Sequence, residues 1–150
     1  MGAFGEGAEL LYEYAVRLGP AVEYGASMAA VVGGEAPPAC GLRVDIPFEG
    51  EVRGRLGGHL RGIDYLTIRA DGRMELDLRG CITTPDGKRI ALRADGVGLP
   101  TPDESLVRLR ENVTLTTADP DLAWLNAQQV WATGEANLAT GEVRIRGYLA

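Results

Sequence analysis

Two carboxylates stand where the surrounding pattern has apolar side chains. Glu111 is in line with Val107, Leu109, Val113 and Leu115, and Asp64 shares parity with Leu66 and Ile68. Alternate residues of a strand face the same side, so both acids are expected on the buried face of a sheet. Tyr12 and Tyr14 add two hydroxyls to the apolar parity of an earlier strand. Burial without a compensating cation raises a carboxyl pKa, and an acid tuned in this way exchanges protons near neutral pH. Glu111 and Asp64 are therefore the candidate catalytic residues, with Tyr12 and Tyr14 as candidate ligand-binding groups. Each has a structural reading as well. A bulge would turn Glu111 outward, Asp64 would cap a strand end or a turn, and buried tyrosines are usually core residues.

Other chemistry finds less support. His59 is the single histidine, set in a glycine-rich bend, and with only the distant Cys40 and Cys81 it makes no zinc site. No metal and no cofactor are expected. The run Gly54, Gly57, Gly58, Gly62 lacks the Lys-Ser/Thr ending and the following helix of a phosphate loop, and reads as a bend between strands. Cys40 and Cys81 read as free thiols in a reducing compartment. Glu6, Glu9 and Glu13 interrupt any apolar run near the start, so neither a secretory leader nor a membrane span is expected, and the location implied is cytoplasmic.

The elements that position these residues are mostly strands. Leu10–Leu18 alternates with period two, Ser27–Val32 reads equally as a short helix or a strand, and 33–41 is a loop long enough to serve as a lid. From Leu42 the strand signals are continuous. The turns Ala70-Asp71-Gly72 and Pro85-Asp86-Gly87 suit three-residue hairpins with a left-handed glycine. That register sets Ile68 opposite Met74, Ile82 opposite Ile90, Gly80 opposite Leu92 and Arg79 opposite Arg93, gathering the apolar residues on one face. It leaves Asp77 and Arg79 on the charged face, with Asp77 diagonal to Arg93 and Arg79 diagonal to Asp95. Val107–Thr117 follows as a strand, Asp119-Pro120 opens a short helical turn near 120–126, and two strands over 129–138 and 142–149 close the chain.

No helix is long enough to cover so many half-apolar strands, so the sheet must cover itself. The expected fold is all-β: a single antiparallel β-barrel of about eight to ten strands, one domain over 1–150. Inward-facing small residues (Gly80, Ala94, Ala132, Gly134, Ala136) would leave a cavity of ligand size. The length of 150 residues, with 45% apolar and 24% charged side chains, suits such a domain, and 21 glycines suit its turns. A net charge of −6 speaks against nucleic acid and anionic membrane as partners. The basic residues, nearly all Arg, are interspersed with carboxylates and read as cross-strand pairs rather than a basic patch.

The string GIDYLTIRADGRMELDLRGCITTPDGKRIALRADG and the later ADPDLAWLNAQQVWATGE resemble a bacterial family of unknown function made of small single-domain β-barrels. The family's Gly-x-Asp-aromatic start falls on Gly62, Asp64 and Tyr65, and its Leu-Asp-x-Arg on Leu76, Asp77 and Arg79. Its Thr-x-Asp-Gly turn falls on Thr84, Asp86 and Gly87, and its Trp-Leu-Asn on Trp124, Leu125 and Asn126. Tyr65 stands where Trp is usual, and Leu122 where Tyr is common. The resemblance implies a barrel similar to lipocalin-like and allene-oxide-cyclase-like ones, without implying an activity. It raises the weight on Asp64, and it makes Tyr65, Asp77, Arg79 and Trp124 candidate ligand-binding residues although patterning alone puts Asp77 and Arg79 in solvent.

The function expected is binding of a small, largely apolar molecule in the barrel, with cofactor-independent acid/base chemistry of isomerase, cyclase or hydratase type. A non-catalytic carrier barrel is the alternative. So is an assembly module, because Trp131 and Tyr148 place large aromatics in the polar parity of the last strands and are compatible with a homodimer.

Overall fold

The computed structural model describes residues 8–149, so Glu6 lies outside the described residues. It contains nine strands: β1 (Glu9–Leu18), β2 (Val22–Glu23), β3 (Leu42–Gly54), β4 (Gly58–Ile68), β5 (Met74–Thr83), β6 (Arg89–Pro100), β7 (Leu106–Thr116), β8 (Val130–Asn137) and β9 (Glu142–Leu149). A five-residue helix α1 (Met28–Val32) follows β2, and a 3-10 turn (Ala123–Ala127) follows β7. Each of β3 to β9 pairs antiparallel with its neighbour in sequence, and β1 pairs with both β9 and β3. This closes an eight-stranded barrel, with β2 as a short addition to the edge of β3. Among the described residues no helix is long and apolar enough to cross a membrane.

Turn chemistry and alternation account for the register. Gly72 (φ 90°) and Gly87 (φ 86°) occupy the left-handed region that the two three-residue hairpins need. Ile68 pairs with Met74, Ile82 with Ile90, Gly80 with Leu92 and Arg79 with Arg93, as the hairpin spacing predicts. In β1 the alternation breaks at a bulge between Leu10 and Tyr12, which buries Leu11 as well as Tyr12 and leaves Leu10 exposed. The ambiguous segment before the long loop is α1, started by Ser27, whose Oγ accepts from the N–H of Ala30 at 3.2 Å.

The two ends of the barrel are finished differently. At one end Leu60, Ile82 and Ile90 lie in a register row and, with Leu11, Leu115 and Val130, are fully buried. Leu125 of the 3-10 turn is fully buried there too. Asn126 anchors that turn: its Oδ1 accepts from the N–H of Thr117 at 2.8 Å and its Nδ2 donates to the Thr117 carbonyl at 2.7 Å. Asp119 accepts from the N–H of Asp121 instead of capping the helical turn, which starts at Ala123 and has no side-chain cap. At the other end Leu18, Leu138 and Met28 of α1 surround the mouth. Glu23 of β2 ties α1 in place by accepting from the N–H of Met28 at 2.6 Å.

Between the ends, small inward residues are partly filled by neighbours. A Cβ on Gly80 would sit 3.1 Å from a methyl of Leu60, and one on Gly147 would sit 2.5 Å from Cζ of Tyr12. Gly147 thus makes room for the inward-turned tyrosine ring. Gly147→Ala is expected to lower the unfolding free energy by about 1–3 kcal/mol through overpacking, read from urea melts. A change below about 0.5 kcal/mol would mean that the Tyr12 ring is free to move aside.

Candidate functional site

The strand register brings Glu111 and Asp64 into the same interior space. Glu111 on β7 pairs with Gly96 and Ala132, and Asp64 on β4 pairs with Ile46 and Leu78, all inward positions or open backbone. Both line a pocket of about 60 Å³ between the packed centre and the α1 mouth, smaller than the ligand-sized cavity expected, and of the five small residues expected to open it only Ala136 lines it. Its walls are otherwise apolar, including Tyr14, Phe48, Leu66, Met74 and Leu109, with Gly98 and Ala136 supplying the space. Among the described residues no Arg, Lys or His lines it.

That absence sets the electrostatics. Glu111 is 4% exposed, and no hydrogen bond or ion pair reaches its carboxyl among the described residues. Desolvation, reinforced by the charge of Asp64, raises its pKa from the ordinary 4.5 to about 8. Asp64 is raised to about 6, again mainly by burial, with a smaller push from the Asp77 charge. It is held lower than Glu111 because its Oδ1 accepts from the N–H of Asp77 at 3.1 Å. Burial thus favours the protonated form of both acids, and more strongly for Glu111 than for Asp64. Two acids pushed apart by their surroundings are the arrangement that general acid–base chemistry uses.

The two tyrosines stand beside the acids. Tyr12, Gly147, Ala132 and Glu111 follow one another across β1, β9, β8 and β7, so only two small residues separate the ring from the carboxyl along the row. The Tyr12 hydroxyl is buried with no hydrogen-bond partner among the described residues. Tyr14 stacks on Tyr12 with ring centroids 5.8 Å apart and faces the pocket itself. Burial, and then the charge of Glu111, raises both phenols well above their ordinary pKa, so both remain hydroxyl donors.

Four of the candidate ligand-binding residues are elsewhere. Tyr65, Asp77 and Arg79 are on the outer wall, where the side chains of Tyr65 and Arg43 stack with the guanidinium carbon 5.3 Å from the ring centroid. Arg79 approaches Asp77 at 3.6 Å along its own strand, both side chains being exposed, rather than the diagonal Asp95. The physical reason is strand parity: an odd position on β4 or β5 cannot share the lumen with Asp64 or Leu78. Asp77 still serves the interior, through its main-chain N–H. Trp124 lies outside the pocket, with the Arg55 guanidinium 4.3 Å from its ring centroid. The Trp-Leu-Asn motif thus covers the closed end, and contact with the pocket is not among its roles. His59 faces outward between Glu49 (2.6 Å) and Glu51 (3.1 Å), and Cys40 and Cys81 are free thiols.

Met28 is the lining residue that patterning does not find, since a five-residue helix carries too little periodicity to declare its inward side. It also relocates the cover. No residue of 33–41 lines the pocket; Glu35 and Pro37 border a separate groove with Ile68 and Pro100, while Met28 stands in the pocket wall.

The paired carboxyls make stability depend on pH. An acid whose folded pKa is raised binds more protons folded than unfolded, so stability falls as pH rises from the unfolded to the folded value. For Asp64 and Glu111 that decline runs from about pH 4 to about pH 8 and then levels off. Glu111→Gln is expected to remove most of the decline above pH 6, gaining on the order of a few kcal/mol over wild type at pH 8.5 in urea melts. Equal pH slopes for the two proteins would show that Glu111 reaches water.

The profile of a family described as "Protein of unknown function (DUF3237)" matches residues 9–149. No functionally curated protein matches the chain. Among solved structures, a protein of unknown function from Clostridium acetobutylicum superposes with a TM-score of 0.78 at 20% identity, covering 95% of this chain and 98% of that one. A β-barrel-like protein from Acinetobacter baumannii gives 0.76 at 22% identity, covering 95% and 94%. An enzyme from Penicillium herquei gives 0.65 at 21% identity, covering 99% of each chain. At these identities the likeness is one of fold.

Proposed function

The chain belongs to this DUF3237 family, and we propose that it takes a small, largely apolar molecule into the barrel and moves a proton on it without a cofactor. The observation that carries the reading is the pair Glu111 and Asp64, two acids with separated pKa values in an apolar pocket that contains no cation. Protonated Glu111 is the general acid and Asp64 carboxylate the general base. A hydroxyl of Tyr14 or Tyr12 donates to an oxygen that gains negative charge. Isomerisation and cyclisation need no more than this, and hydration adds a water molecule from solvent to the substrate. That a protein of the same fold from Penicillium herquei is described as an enzyme supports catalysis over simple carriage.

Native mass spectrometry after mild purification is the way to recover the ligand. With that compound, turnover or uptake of solvent deuterium at carbon is expected in the wild-type protein. Glu111→Gln and Asp64→Asn are each expected to slow it by about 10²-fold or more while the barrel stays folded. A compound recovered unchanged, with no deuterium uptake by any variant, supports the carrier reading instead.

A further inference from the structure

Five arginines from three separate strands meet on one outer hollow of the barrel. Arg53 on β3, Arg108 and Arg110 on β7, and Arg144 and Arg146 on β9 line an open depression of about 840 Å³. Its floor exists because two outward positions are small. Ala15 pairs with Glu51 and Arg144, and Thr133 pairs with Arg146 and Arg110, so long side chains stand around short ones. Three carboxylates share the rim, Glu13, Glu51 and Glu135. Glu13 is engaged with Arg146 at 3.5 Å, and Glu51 is drawn to His59 at 3.1 Å. Arg144 pairs with Glu142.

Arg53, Arg108 and Arg110 have no carboxylate partner within ion-pair distance among the described residues. Arg110 is nevertheless held in place, donating from Nη1 to Oγ1 of Thr133 at 2.8 Å and to the Leu109 carbonyl at 3.3 Å. With five arginines against Glu13, Glu51 and Glu135, the last facing Arg108 and Arg144 across the strands, the hollow carries two more positive charges than negative on a chain whose net charge is −6. Guanidinium forks bind phosphate oxygens in pairs, and several around one depression favour a compact anion of multiple charge over a single carboxylate. A long nucleic acid would have to pass the acidic remainder of the surface.

We infer that this hollow on β3, β7 and β9 is a binding site for a small oligophosphate-bearing anion, separate from the interior pocket.

Isothermal titration of the intact chain with inorganic tripolyphosphate at about 50 mM salt tests it. One saturable site is expected, weakened at least tenfold in Arg108→Ala/Arg110→Ala and in Arg53→Ala. The control Arg69→Ala/Arg73→Ala, altered at the far hairpin, is expected to bind as wild type does. All variants change exposed or half-exposed side chains, and matching melting temperatures would show that they fold. Absence of saturable binding overturns the inference, and so does binding that the control pair weakens as much. Sizing in parallel covers a competing occupant: a wild-type dimer that Arg108→Ala/Arg110→Ala converts to monomer, with no anion uptake by either, overturns it as well.

Discussion

β1 is hydrogen-bonded along both of its edges, to β9 on one side and to β3 on the other. That double pairing turns a sheet with two open edges into a closed wall, so that eight strands present a continuous lumen with no lateral seam. Everything inside follows from it. The side chains of a closed wall must share one volume, and a polar residue in the inward register has no edge past which to reach water. Glu111 is in that position, and its burial behind the wall raises its pKa.

The barrel then divides its interior. The end under the 3-10 turn is packed with Leu, Ile and Val and is sealed by Leu125 and the Asn126 clamp on Thr117. The other half holds the acids and the pocket under α1. The tightly packed core and the acid-lined pocket therefore occupy different halves of the same strands. β7 shows this along its length, with Leu115 and Val113 in the packed centre and Glu111, Leu109 and Val107 at the pocket.

Much of this was legible in the sequence because strand parity is strict. The inward placement of Glu111 and Asp64 follows from counting by two from Leu109 and Leu66, and the hairpin glycines fix the pairing that makes the counting valid. The same count, taken over the family motif, puts Asp77 and Arg79 outside, where they are found. The resemblance made them ligand candidates because a motif does not distinguish a side chain in contact with a ligand from a main-chain N–H that supports one. Other features were not legible, for identifiable reasons. The bulge in β1 inverts parity locally, α1 is too short to show a helical period, and Trp124 and Asn126 act at distances in sequence that alternation does not encode. The arginine hollow depends on which strands end up side by side around the closure, a property of the circle and not of any one strand.

The cover over the pocket is of a different kind from the wall beneath it. α1 is five residues long, none of them buried, and is held by Ser27, Glu23 and the contact of Met28 and its neighbours with the core. So short a helix contributes little to cooperativity, and it can lift while every strand pairing persists. The open end is thus held by far fewer contacts than the strand-paired wall. A substitution at Met28 or Glu23 therefore acts on this end alone and leaves the strand pairing intact.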